Sequence, residues 1–221
     1  MSEAQAVSVT RLIEHFNAEH DLIERMVVSF RAYVERRIAR AAGPEDARAF
    51  LTFFREFAGA WHQAREESVL FAALVRNAGV PAGAGPLAVL HREHGWLRAA
   101  LERMEPLLIA ETNDPAEIAS LRWTAETWSH TLWQHIDAER SVLFPESRLR
   151  LARTGTLELD ELLPSAAQRD SRDEAIELLD RYPRFLDWYI VRGDGCIFCT
   201  SFGVRCDGIE REWWSEADHG G

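Results

Sequence analysis

Residues 62–71 (HQAREESVLF) and 135–144 (HIDAERSVLF) agree at six of ten positions: the His, the Glu four residues later, and Ser-Val-Leu-Phe. A second pair of segments repeats with nearly the same offset. Glu19-His20 and Glu93-His94 match, each with Ile or Leu three residues after the His. The separation is 73 residues for His62/His135 and Glu66/Glu139, and 74 for His20/His94. A chain duplicated in this way is built from two similar halves, each carrying one His and one His-x-x-x-Glu.

The repeated residues fall on apolar stripes spaced by three and four, the period of a helix with one buried face. Ser8 is an N-cap for a first helix reaching about Ala41, with Phe16, His20, Ile23, Val27, Phe30 and Val34 on its stripe; Gly43-Pro44 ends it. A second helix over about residues 45–77 carries Leu51, Phe54, Ala58, His62, Glu66, Val69 and Ala73. Residues 77–86 are a loop by composition. The third helix carries Leu87, Leu90, His94, Leu97, Leu101, Met104 and Leu108. Asp114 and Pro115 open a fourth, with Ile118, Leu121, Ala125, Trp128, Leu132, His135, Glu139 and Val142, ending at Pro145. Four long amphipathic helices with short connections predict an all-α, up-down-up-down four-helix bundle over residues 8–146. An aromatic- and Cys-containing extension, residues 147–221, follows it.

Four imidazoles and two carboxylates buried among Leu, Phe and Val are costly without partners. His62 and Glu66, like His135 and Glu139, are four residues apart and share a helix face. A pair of metal ions meets the cost: imidazole nitrogens donate terminally, and each carboxylate can bridge two cations. Imidazole with carboxylate and no thiolate suits iron, and less specifically manganese or zinc. His15 and His130 each precede a stripe His by five residues, roughly 140° around the helix, and read as surface histidines. His91 precedes His94 by three residues, roughly 60° away, and can reach the site as an extra ligand. Its counterpart in the other half is Asn17.

Over about residues 10–146, this order of His, His-x-x-x-Glu, Glu-His and His-x-x-x-Glu-x-x-Val-Leu-Phe-Pro resembles the hemerythrin-like, HHE cation-binding family. The resemblance implies a non-haem di-iron centre with an oxo- or hydroxo-type bridge. His20 and His62 would bind one iron, His94 and His135 the other, and Glu66 and Glu139 would bridge. Two departures separate this sequence from the oxygen-carrying members. Leu90 stands four residues before His94, where they have His, and Glu139 stands four residues after His135, where they have an Asp at five. Fewer protein ligands leave open metal positions, which favour chemistry on a bound ligand. The expected function is therefore reaction with dioxygen or peroxide. The alternative is a module that senses or stores oxygen, nitric oxide or iron and signals through the extension.

All 25 basic residues are Arg, which excludes a Schiff-base lysine and a GxxxxGK[ST] phosphate loop. A net charge of −11 with no basic run argues against nucleic acid as a partner. Residues 155–221 hold 15 acidic groups and 7 Arg, so most of the excess charge lies in the extension. Tyr182, Phe185, Trp188, Tyr189, Phe198, Phe202, Trp213 and Trp214 make it too aromatic for a disordered acidic tail. It is expected to form a helix over residues 173–186, interrupted near Pro183, and to pack on the bundle or on a partner subunit of a homodimer. Cys196-x-x-Cys199 with Cys206 is compatible with zinc, given a fourth ligand such as Asp207 or His219, with a redox pair, or with inert cysteines. An odd number of thiols and the lack of a signal-peptide pattern point to the cytoplasm, and no apolar run is long enough to span a membrane.

Overall fold

Ser8 caps the first helix, its side chain accepting from the Arg11 N–H, and α1 runs from Val9 to Ile38. The computed structural model describes residues 4–110 and 112–183. α1 ends before Gly43-Pro44 is reached. Arg40 adopts a left-handed conformation (φ 58°), and the Ala41 and Arg40 N–H groups return to the Arg36 and Arg37 carbonyls at 2.7 and 3.1 Å. This is a Schellman closure with Arg in the place Gly usually takes.

The second bundle helix is unbroken over residues 45–78 but changes its winding: α2 (Glu45–Thr52), π-helical segments Phe53–Gln63 and Glu66–Phe71, then α3 (Ala72–Ala78). π-Turns inside helices are uncommon and cluster at functional sites. The third is α4 (Gly85–Ile109). In the fourth, α5 (Pro115–Ala138) begins at the Asp114 cap, and a π-helical segment, Glu139–Leu143, leads into α6 (Phe144–Arg153). Pro145 therefore does not end the fourth helix. The π segment starts a new helical stretch just before it, and Pro145 falls in that stretch's first turn, where a missing N–H costs little.

Strands were not expected, yet β1 (Ala4–Ser8) pairs antiparallel with β2 (Glu158–Leu162), Val7 opposite Leu159. α7 (Ala166–Arg181) begins at a Ser165/Gln168 capping box, earlier than the predicted residue 173, and stops before Pro183. It packs on the bundle. Ala175, Leu178 and Tyr182 enter the core, the Ser29 hydroxyl donates to the Leu178 and Tyr182 carbonyls at 3.1 and 2.9 Å, and Tyr182 donates to Asp46. This explains why the Phe53–Gln63 segment also buries Phe53, Phe57 and Trp61 beyond its predicted stripe: α7 covers its outer side. Cys196, Cys199, Cys206, Asp207, His219 and the aromatic residues from Phe185 onward lie outside the described residues. Among the described residues, no helix is long and apolar enough to cross a membrane.

The core has two apolar parts. One contains Ile23, Leu97, Trp61 and Leu132; the other contains Phe16, Leu90, Val69 and Leu143. On each bundle helix the repeated His lies between residues of the first part and residues of the second. The bundle thus has a polar layer across its waist.

Candidate metal centre

His20, His62, Glu66, His94, His135 and Glu139 all meet in that layer, each at most 3% exposed. They form two overlapping groups of four, His20/His62/Glu66/Glu139 and Glu66/His94/His135/Glu139, each with ligand atoms within 4.8 Å of one another. The carboxylates belong to both. Glu66 Oε1 faces His62 at 3.3 Å and His20 at 3.7 Å, while its Oε2 faces His94 at 3.7 Å. Glu139 Oε2 faces His20 and its Oε1 faces His135, both at 3.2 Å. Each carboxylate thus offers one oxygen to each half of the site.

Three of the imidazoles are oriented by carboxylates that sequence reasoning did not assign. The Nδ1 atoms of His62, His94 and His135 bond Glu19, Glu67 and Glu93, each at 2.7 Å. A carboxylate anion only accepts, so Nδ1 carries a hydrogen and Nε2 is the atom turned to the centre, free to donate a lone pair once the ring is neutral. His94 Nε2 and His135 Nε2 lie 2.8 Å apart. Two imidazole nitrogens at about 2.0–2.1 Å from a shared ion are separated by about 2.8–3.4 Å, depending on the angle at the metal. His20 Nε2 and all four oxygens of Glu66 and Glu139 are buried without a hydrogen-bond partner. Buried polar atoms without partners are rare, and cations in the two overlapping groups would satisfy all of these. Imidazole and carboxylate without thiolate suit a hard or borderline divalent metal.

The duplication is visible as an approximate two-fold relation. The His20 and His62 rings lie 4.6 Å apart at 63°, and those of His94 and His135 lie 4.6 Å apart at 64°. The Phe that ends each repeated Ser-Val-Leu-Phe stacks on a His of the opposite half. Phe144 lies 5.5 Å from His20, and Phe71 lies 6.2 Å from His94. The repeated motif therefore encodes both a candidate ligand and the apolar lid over a candidate ligand of the other half.

Charge is distributed unevenly in the metal-free layer. Burial disfavours the His62 imidazolium, but Glu66 and Glu19 outweigh it and lift His62 to about 10. Burial opposes a charge on His135 as well, and is again outweighed, by Glu139 and Glu93. His94 is pushed down to about 4 by burial and by His135. His20 also falls well below its ordinary value, through burial and then the charge of His62. Burial and the neighbouring Glu66 raise Glu139 to about 7.

His91 is not brought to the cluster. Its side chain is 61% exposed and pairs at 3.2 Å with Glu67 Oε1, the same oxygen that bonds His94. A helix step of roughly 60° is enough to put it in solvent. His15 and His130 also stay away from the site but are half-buried rather than fully exposed. His15 binds both oxygens of Glu161 on β2 at 3.1 Å. Arg65, whose side chain is 1% exposed, donates to Glu19 at 3.0 and 3.1 Å and lies 3.5 Å from Glu161. Its guanidinium stacks on Trp61, and the Trp61 indole N–H donates to Glu19 at 3.0 Å. The signal for Glu19 and Glu93 was present in the repeat. What it did not show is that each serves a His on another helix.

The family described as the hemerythrin HHE cation binding domain matches residues 11–147. No curated protein and no solved structure gave a match. The matched span takes in all four bundle helices and every residue of the polar layer. The chain belongs to the hemerythrin HHE cation-binding family.

Proposed function

We propose that this chain is a non-haem di-iron protein whose centre binds and reacts with dioxygen or peroxide. The observation that carries this reading is the division of the Glu66 and Glu139 oxygens between the His20/His62 and His94/His135 pairs. Each ion would receive two imidazoles and one oxygen from each carboxylate, leaving about two of six octahedral positions for a small ligand. Two ferrous ions would supply two electrons, enough with two protons to take peroxide to two waters. The protein's part is to hold the ions and keep bulk water out. Glu19, Glu67 and Glu93 orient three imidazoles, and Phe16, Phe71 and Phe144 wall the layer with hydrocarbon.

Iron analysis with an optical spectrum tests the centre: about two irons per chain with oxo-bridge absorption supports it. A stably folded protein that takes up no iron would refute it. Reduced protein mixed with oxygen, and then with peroxide and an excess of a small electron donor, tests the reaction, since repeated turnover with product release marks an enzyme.

A sensing or storage role is the second reading, and one observation favours it. Glu161 of β2 faces Arg65, Arg65 holds Glu19, and Glu19 holds His62. A strand that follows the bundle in sequence is thereby linked to a ligand of the centre. A single stoichiometric reaction that retains its ligand supports this reading over catalysis.

A further inference from the structure

The duplication is broken at one contact beside the metal ligands. Glu67 follows Glu66 and reaches the third helix, where it meets Nδ1 of His94 at 2.7 Å and His91 at 3.2 Å. Its counterpart 73 residues later is Arg140, which follows Glu139. Arg140 reaches the first helix, donating to the Asn17 carbonyl at 3.0 Å, Asp21 at 2.6 Å and Glu24 at 2.9 Å. Asn17 is the counterpart of His91, and His20 that of His94. Both members of the contact have therefore changed together. The result at His20 is a completely buried Nδ1 with no hydrogen-bond partner, where the other three imidazoles each have a carboxylate.

A carboxylate on the far nitrogen fixes ring orientation and raises imidazole basicity, and losing such a partner typically costs about 10–100-fold in metal affinity. His20 lacks that support, and the guanidinium that stands in the place of the Glu67 carboxylate bonds Asn17, Asp21 and Glu24 on the His20 helix instead. The partner of the other ligand in its half is also weakened: Glu19 serves His62 but is shared with Arg65 and Trp61. The counterpart of Arg65 is Ala138, so no guanidinium comes from that position toward Glu93.

We propose that Arg140 makes the two metal positions unequal. The ion held by His94 and His135 binds first and tightly; the ion held by His20 and His62 binds second and more loosely. This rests on the di-metal reading above. The His20 position is then the exchangeable one, and a form with a single ion is a populated state of the protein. Arg140 and Glu67 are positioning residues acting through His20 and His94.

The test is an anaerobic titration of metal-free protein with Fe(II) against a competing chelator, with Mössbauer spectra of enriched iron to distinguish the two environments. Wild type is expected to bind in two steps separated by about 10–100-fold. Glu67→Ala should loosen the tighter step by a similar factor and bring the two together. Arg140→Gln removes the cation and should tighten the looser step alone. Circular dichroism of the metal-free variants shows whether each still folds. Equal affinities in wild type, or a loss confined to the looser step in Glu67→Ala, would overturn the proposal while leaving the di-metal site standing. No binding of iron at all would overturn both.

Discussion

The Nε2 atoms of His94 and His135 face each other across 2.8 Å, while Glu67 and Glu93 occupy the Nδ1 atoms behind them. Two ring nitrogens so placed share one hydrogen in the metal-free site and can both ligate an ion put between them, and binding to the folded chain alone stabilises it by mass action. At about 100 times the dissociation constant the gain is about 2.7 kcal/mol. For a chain of this size that raises the thermal midpoint by about 5–11 °C. Calorimetry with Fe(II), and again after chelation, checks this. A midpoint indifferent to metal would contradict it.

Glu139→Ala should abolish most iron uptake, because it removes an oxygen from both metal positions. His130→Ala and His91→Ala should leave the iron content unchanged, since neither ring belongs to the cluster. Iron per chain, measured on the three purified variants in parallel, is the readout. Equal losses would mean that the helix faces are misassigned.

Metal uptake should release protons. His62 holds its proton up to about 10 in the metal-free site, because Glu66 and Glu19 overcome the cost of burial, and His135 is raised in the same direction. Ligation requires neutral rings and ionised carboxylates, so at neutral pH binding displaces these two protons and part of a third from Glu139, which is raised to about 7. Below about pH 10 the displaced proton of His62 makes apparent affinity rise with pH. Release into a weakly buffered indicator measures the number, and proton uptake on binding would have the wrong sign.

Arg65→Ala should destabilise the metal-free protein by about 3–5 kcal/mol, the usual cost of breaking a buried ion pair. Glu19 and Glu161 lose a shared cation, and Trp61 and Phe16 lose a stacked plane. Arg55→Ala breaks the pair with Glu105, whose side chains are 38% and 37% exposed, and should cost under about 1 kcal/mol. Urea unfolding of the two variants gives the comparison.

The six central residues were legible because a duplication placed them on stripes that had to be buried. Periodicity also located the four helices. It failed at Pro145, since a π segment resets the helix there and no local residue pattern announces it. The β1–β2 ribbon was hidden because its strands are short and the whole bundle separates them in sequence. The roles of Glu19, Glu67 and Glu93 were hidden for a related reason. Helical spacing reports neighbours on one helix, and these side chains act across to another. Arg65 lay in plain view inside the repeat, but as a mismatch with Ala138, and its burial depends on Glu161 from a segment outside the repeat.

The polar waist between the two apolar cores has a consequence for folding fidelity. A helix of a four-helix bundle can slide by one turn and still bury hydrocarbon against hydrocarbon. Here such a slip would carry His20, His62, His94 or His135 into one of the apolar halves and draw a Leu or Phe into the ring of carboxylates. The cost of stranding a polar group in hydrocarbon falls on every shifted alignment and spares the native one. The residues that could hold the cation therefore also act as a vernier, setting the axial alignment of four otherwise slippery helices, as a single buried polar residue sets the register of a coiled coil.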